Sequence, residues 1–524
     1  MNILLTAINA KYIHSNLAVY SLRACAGEYR DAVELAEYTI NNQKDYILEE
    51  LYKRKPDVLC FSCYIWNIDY VTDIAREYKK LCPSVPIWVG GPEVSYEVEA
   101  FLRENPYIDG VMIGEGEDTF RELCGYYAHK RKLSDIAGIA FRKNSTGNST
   151  SVNNIGGNKA GEIVFTSPRP IKNMSEIPFC YDTLDDFSNR IIYYESSRGC
   201  PFSCSYCLSS VDKTLRFRDT EIVKRELKFF IDQKVPQIKF VDRTFNCNHA
   251  HAMELWRFIK ANDNGVTNFH FEISADLLNR EELELISDMR PGLIQLEIGV
   301  QSTNEVTIKE IHRTMKLERL KDVVRLIQSG NNIHEHLDLI AGLPYEDYDS
   351  FGRSFDEIYE LKPNQLQLGF LKVLKGSYMF EHAAEYGIVY HDKPPYEVMS
   401  TKWLSFDDVI KIKRVEDMLE VYYNSGQFEI TMKLMECIFD SAFEFFQELG
   451  DFYEANGYFG MSHSRIRRCE ILLEFLALYL HGCDSDAMTS VGLFENHGDR
   501  DNTDFDENAQ IYSMIQESLI FDLY

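Results

Sequence analysis

The sequence predicts an α/β protein in three parts. These are an N-terminal doubly wound, Rossmann-like sheet, a partial (β/α)6 TIM-like barrel, and a mostly α-helical C-terminal domain. Three observations predict it. Short apolar runs alternate with amphipathic stretches over the first 135 residues. The same alternation returns with a longer period from residue 191, and from about residue 401 the apolar positions recur at helical spacing. The expected boundaries are 1–135 for the first domain, 136–190 for a linker and excursion, 191–400 for the barrel and 401–524 for the helical domain.

In the first block, NILLTAI (2–8), DVLCFSCY (57–64), PIWVGG (86–91) and DGVMIG (109–114) read as strands, with helical spacing over 15–29, 43–55, 67–81 and 94–104. Ligands of such sheets bind at the carboxyl ends of the strands, here the loops NAKYIHS, YIWN, GGPEVS and GEGED. Gly90, Gly91, Gly114 and Gly116 would let backbone approach a flat or bulky ligand, although glycines after strands also serve simply as turn residues. Residues 143–160 are polar and glycine-rich and read as an exposed loop or hairpin excursion. Lys172 to Arg190 reads as a linker.

The second block offers IIYYESS (191–197), QIKFVD (237–242), FHFEIS (269–274), LIQLEIG (293–299), EHLDLIAG (335–342) and QLQLGFLKV (365–373) as strands. That is about six βα units, too few for a closed eight-stranded barrel, and chemistry is expected on loops at the C-terminal strand ends. In the third block, Ser405 precedes FDDVIKIKRVEDMLEVYY as a cap followed by first-turn acids. The aromatic and aliphatic stripes of the helices that follow read as core.

The chain of 524 residues has room for about three domains. No run approaches the ~20 apolar residues of a membrane span, and MNILLTAINAKYIHS reads as a first strand rather than a signal peptide. A cytoplasmic protein with reduced thiols is expected. A formal charge of −27 argues against holding long nucleic acid by bulk electrostatics. GDRDNTDFDEN, near the C-terminus, reads as a solvated loop. Most of the 13 cysteines are dispersed and read as small buried apolar residues. Cys60 and Cys63 form a C-x2-C inside an apolar strand.

SSRGCPFSCSYC follows the first barrel strand and sets Cys200, Cys204 and Cys207 in the order C-x3-C-x2-C. Structural zinc usually takes four protein ligands, often as two separated pairs, and no second pair lies downstream. A four-iron cluster can use thiolates on three irons and leave the fourth open. With the aromatic Tyr206 before the third thiol, the pattern resembles the radical SAM superfamily. The resemblance implies a 4Fe-4S cluster on Cys200, Cys204 and Cys207, with S-adenosylmethionine (SAM) chelated at the open iron. It also implies reductive cleavage to methionine and a 5′-deoxyadenosyl radical, and a reducing partner such as flavodoxin or ferredoxin. It points to Tyr206, Asp242 in FVDRTF, Glu272 and Ser274 in EISADL, Glu297 and Gln301 in LEIGVQS, and Arg313 in KEIHRTM as SAM contacts. Catalytic residues beyond the cluster ligands are left unassigned.

A doubly wound domain directly before such a core, carrying GGPEVS and GEGEDTF, resembles the cobalamin-binding radical SAM proteins over about residues 1–375. The resemblance implies cobalamin covered by Asn9, Tyr12, Ser15, Tyr64, Trp66, Gly90, Gly91, Glu93, Gly114, Glu115, Gly116 and Glu117. The string D-x-H-x2-G, which supplies a cobalt-ligating histidine in some cobalamin domains, is absent. The implied activity is C-methyl transfer to an unidentified substrate. The alternatives are a radical cyclase or rearrangement enzyme, and a methylthiotransferase whose second cluster would use Cys25, Cys60 or Cys63, and Cys82. A monomer in an anaerobic setting is expected.

Overall fold

A computed structural model describes residues 1–143, 161–481 and 502–524. Most of the expected excursion, 144–160, lies outside the described residues. So do 498–501 of the expected C-terminal loop, whose remainder opens the last helix.

The first sheet contains β1 (Ile3–Asn9), β2 (Val33–Thr39), β3 (Val58–Ser62), β4 (Ile87–Gly90), β5 (Gly110–Met112), β6 (Ile139–Arg142) and β7 (Ile163–Phe165). Among the described residues its order is β2-β1-β3-β4-β5-β6-β7. The five leading strands are parallel, and β6 and β7 add antiparallel. Helices α1 (Leu17–Cys25), α2 (Lys44–Arg54), α3 (Ile68–Leu81), α4 (Val98–Glu104) and α5 (Glu117–Tyr127) make the crossovers. β1 and β3 are buried along their whole lengths, as strands covered on both faces require. The sequence reading missed β2, β6 and β7. β2 reads VELAEYT, and its polar Glu34 and Glu37 hide it. They are satisfied only in the fold, by Arg54 and Arg190.

The second sheet contains β8 (Ile192–Tyr194), β11 (Gln237–Phe240), β12 (Asn268–Ile273), β13 (Ile294–Gln301), β14 (His334–Ala341) and β15 (Gln365–Phe370). A short ribbon of β9 (Ser197–Arg198) and β10 (Arg216–Phe217) follows β8. All six strands of the second sheet are parallel and in sequence order. This is the partial barrel expected. Its outer layer is α6 (Thr220–Asp232), α7 (His249–Ala261), α8 (Arg280–Ser287), α9 (Glu305–Glu310), α10 (Leu317–Gly330) and α11 (Tyr348–Tyr359). The Asn279–Glu282 capping box fixes the start of α8. Outward residues such as Phe240, Phe269, Phe271 and Leu337 join one continuous core with the helices.

After α12 (Tyr378–His382), a hairpin of β16 (Val389–Tyr390) and β17 (Val398–Ser400) leads into α13 (Phe406–Leu419), α14 (Glu429–Ile438), α15 (Ala442–Ala455), α16 (Arg465–His481) and α17 (Asn502–Leu523). Ser405 caps α13 in a capping box with Asp408. The helical block packs on the barrel's outer layer, where Phe443 meets Phe351 and Phe355. Asn424 bonds both backbone groups of Leu366 on β15. At the other side of the sheet, His14 forms a parallel bridge to Ile191, and Ser15 Oγ donates to Ile191 O at 2.8 Å. Among the described residues no helix is long and apolar enough to cross a membrane.

One buried group on the barrel gives a testable stability effect. Glu335 on β14 is fully buried beside Gln328, and burial pushes its carboxyl up to about 8 from an ordinary 4.5. Between those values the folded chain holds a proton that the unfolded chain releases, so stability falls as pH rises from about 4.5 to 8. Glu335→Gln is expected to raise the unfolding free energy at pH 8 by about 4 kcal/mol and to change it by less than about 1 kcal/mol at pH 5. Urea unfolding at the two pH values checks this, and parallel pH profiles for the two proteins would refute it.

Candidate active site

The cysteine loop is assembled from several barrel elements. Gly199 adopts φ +93°, and a Cβ there would stand 2.5 Å from Thr214 O, so the chain can turn into Cys200 at this point only without a side chain. Ser205 N donates to Ile311 O at 2.9 Å, and Met379 N donates to Ser205 O at 2.9 Å, which pins the loop between α9 and α12. Cys200 and Cys204 are buried and Cys207 is half-buried. Burial, and then the two neighbouring thiols, raise the Cys200 thiol above its usual range. Among the described residues no three His, Cys, Asp or Glu side chains converge to hold a single metal ion. Three free thiols on one loop fit the corners of a larger cluster.

Arg313 lies against this loop. Its Nη1 stands 3.8 Å from Cys204 Sγ and 3.3 Å from Tyr206 Oη, and its Nη2 donates to Gly299 O. Neighbouring Gln301 ends β13 at φ +78° and folds its amide over Gly299. Tyr206, Gln301 and Arg313 are thus brought together beside Cys204, as a shared site requires. The guanidinium is spent on the cysteine loop and the strand end.

Other expected SAM contacts are placed differently. Asp242 is fully buried and turned under the loop. It accepts from Ser196 N at 2.9 Å, Ser196 Oγ at 2.6 Å and Ser197 Oγ at 2.6 Å. Burial outweighs these bonds and raises its carboxyl to about 7. Ser196 Oγ also stands 2.9 Å from His251 Nε2, and burial lowers that imidazole to about 4, so it is neutral. Asp242 therefore shapes the turn into the cysteine loop and has no face left for a ligand. Glu297 sits inside the barrel, 2.8 Å from Lys239 Nζ and 3.0 Å from His270 Nε2. Burial works against its charge, but these partners hold it down to about 2. It is an ionised member of a lumen triad rather than a free carboxylate. Glu272 pairs in register with Glu297, and burial raises its carboxyl. Ser274 Oγ donates to Asp276 at 2.7 Å on the rim.

A cavity of about 580 Å³ runs from the first sheet to the cysteine loop. Of the residues expected at cobalamin, Tyr64, Gly90, Gly91, Gly114, Glu115, Gly116 and Glu117 line it. Asn9, Tyr12, Ser15, Trp66 and Glu93 do not. Asn9 holds the His14 carbonyl and Glu37, Tyr12 is exposed, and Ser15 bonds β8. Trp66 stacks on Tyr64 at 4.4 Å, and its Nε1 donates to Ile8 O. Glu93 accepts from Tyr396 of the C-terminal hairpin. Sequence reasoning missed Leu17, Leu22 and Met112 on the sheet side, Ile177 and Tyr181 of the linker, and Arg243 on the barrel rim. The first three had no signal beyond ordinary core periodicity. A Cβ on Gly114 would meet nothing within 4 Å. The open backbone at Gly114 and an apolar slot beside α1 suit a broad ligand with a narrower tail, as a corrinoid is.

Comparison with known proteins matches the B12 binding domain family over residues 3–124 and the Radical SAM superfamily over residues 194–358. The chain joins a B12-binding domain to a radical SAM domain. Residues 384–524 match a protein family of unknown function, DUF4080. The cobalamin-dependent radical SAM methyltransferase TokK of Streptomyces tokunonensis is 28% identical over 361 residues, covering 64% of this chain and 49% of that protein. The chain therefore spans about half the length of that relative. The uncharacterized methyltransferase PH0819 of Pyrococcus horikoshii is 24% identical, covering 69% of this chain and 75% of that protein. The structure of the cobalamin-dependent SAM radical enzyme OxsB with aqua-cobalamin and SAM bound shares the fold, with a TM-score of 0.63 at 16% identity. It covers 99% of this chain and 80% of that one. The cofactor set expected from the sequence (a 4Fe-4S cluster, SAM and cobalamin) is the set these two domains carry.

Of the thiols expected at a second cluster, Cys25 ends α1, whose Val19 and Tyr20 pack in the same core as Cys60, whereas Cys63 and Cys82 pack with the separate core on the opposite face of the sheet, so Cys25 and Cys82 lie on different faces. Burial raises the Cys60 and Cys63 thiols.

Proposed function

We propose that this chain is a cobalamin-dependent radical SAM enzyme that transfers a methyl group to carbon of an unidentified substrate. One observation carries the reading. A single cavity is lined on one side by the glycine loops of the first domain and on the other by Ser197, Arg198 and Gly199, directly before the first thiol. Cys200, Cys204 and Cys207 would hold the cluster, Gln301 and Glu272 would meet SAM, and Tyr64, Gly90, Gly91, Gly114 and Gly116 would meet the corrinoid. When bound there, these groups supply reductive cleavage of the SAM sulfonium and a carrier for its methyl group.

The chain's own part is to bind, orient and exclude water. Arg313 and the Ser205 contacts hold the thiols in place. Tyr64, buttressed by Trp66, offers a flat apolar surface to a macrocycle. Burial of Cys200 and Cys204 would keep bulk water from a reactive radical. A cytoplasmic monomer reduced by a flavodoxin or ferredoxin completes the reading.

Anaerobic reconstitution with iron, sulfide and hydroxocobalamin tests it. The expected load is about four irons and one corrinoid per chain. Incubation with SAM, reductant and anaerobic cell extract should give S-adenosylhomocysteine and 5′-deoxyadenosine in equal yield. 5′-Deoxyadenosine alone would move the assignment to radical cyclisation or rearrangement. Neither product would overturn it.

A further inference from the structure

The loop GEGED was expected to touch cobalamin, yet both of its first two glutamates are engaged by arginines of the cysteine loop. Arg198 lies two residues before Cys200, and its backbone pairs with Arg216 across the β9–β10 ribbon. Arg198 forks onto Glu195, with Nε at 2.9 Å and Nη2 at 2.8 Å, and the same Nη2 reaches Glu117 at 2.8 Å. Its Nη1 stands 3.3 Å from Glu115. Arg216 Nη1 meets Glu115 at 2.6 Å, and Lys172 N of the linker donates to Glu115 at 3.2 Å. Two cations and three carboxylates therefore interlock across the domain boundary.

Burial makes these pairs strong. The side chain of Glu117 is 7% exposed, that of Arg216 13%, and those of Glu115 and Glu195 20%. Planar guanidinium forks fix geometry as well as charge, and removing one member of a buried set strands the others. Glu117 opens α5, so the same residue joins the rigid part of the first domain to the approach to the first thiol.

We propose that Arg198 and Arg216, with Glu115, Glu117 and Glu195, are positioning residues that clamp the cysteine loop to the first domain and so set the separation between cluster and corrinoid. The second half of that statement rests on the cofactor reading above. The first half rests on geometry alone.

Two measurements on the full chain test it. In cofactor-free protein, backbone hydrogen exchange over residues 196–217 should run about tenfold faster in the Glu115→Gln, Glu117→Gln double variant than in the native chain, as loss of a local clamp lowers local opening energy. Exchange in β13 and α13 should be unchanged, and Arg198→Lys, which keeps charge but loses the fork, should fall between. In reconstituted protein, pulsed electron paramagnetic resonance between cob(II)alamin and the reduced cluster should give one narrow distance for the native chain and a broadened distribution for the double variant. Unchanged exchange over 196–217 would overturn the clamp. Faster exchange with an unaltered distance distribution would overturn its role in setting the separation. Should the double variant unfold globally, Arg198→Lys carries the same comparison, and native exchange in that variant would overturn the proposal. Failure of the native chain to load either cofactor counts against the proposed function, while the exchange result alone judges the clamp.

Discussion

Serine at Cys200, Cys204 or Cys207 is expected to lower the rate of 5′-deoxyadenosine formation by on the order of a thousandfold or more, with loss of iron and of the cluster's visible absorbance. The chemistry needs thiolates at three corners of the cluster, and a serine hydroxyl is far too weak an acid to replace one. The fold should survive, because the loop is tied by Ser205 to Ile311 and Met379 independently of any metal. The thermal midpoint of the apo protein should therefore stay close to that of the native chain. Cys60→Ser and Cys63→Ser give the contrast. They disturb buried packing in the first sheet and should leave SAM cleavage intact. Iron counting and chromatographic assay of nucleoside products decide the matter. Native turnover in any of the three loop variants would remove the basis of the functional assignment.

Asp242→Ala is expected to be the most damaging change outside the thiols. It deprives Ser196 N, Ser196 Oγ and Ser197 Oγ of their acceptor in a fully buried site. Stranding these donors should cost about 3 kcal/mol of unfolding free energy, the upper end of the range for a single unsatisfied buried group, because three donors lose one acceptor. The turn from β8 into the cysteine loop would lose its anchor, so cluster occupancy should fall with it. Asp242→Asn preserves size and one acceptor oxygen and should recover part of both losses. Denaturant unfolding together with iron content after reconstitution measures the two effects. An alanine variant that binds SAM poorly while keeping native stability and full cluster occupancy would instead favour a direct contact between Asp242 and the substrate.

Much of the scaffold is legible in the sequence because its central strands are short apolar or alternating runs, as in DVLCFSCY, PIWVGG and LIQLEIG, the last two closed by glycine. The cysteine trio is legible because its spacing is local. What escapes is whatever depends on a partner distant in sequence. β2 is hidden because Glu37 looks like a solvated residue until Arg190 arrives 153 positions later. β6 and β7 are hidden by the polar segment that separates them. Glu115 and Glu117 look like ligand contacts because they follow a strand end, but their oxygens face Arg198 and Arg216 from another domain. Asp242 and Glu297 occupy strand ends that the resemblance marks for SAM, and only the fold reveals that serines or a lysine already engage them.

An unclosed barrel has two raw margins, and an exposed parallel strand is a template for unwanted pairing with other chains. Here neither margin is bare. The bridge from His14 to Ile191 lays first-domain backbone along one, and Asn424 occupies both backbone groups of Leu366 on the other. The flanking domains thus act as selvedges for the central fabric. Detaching either neighbour would uncover the strand edge it now borders.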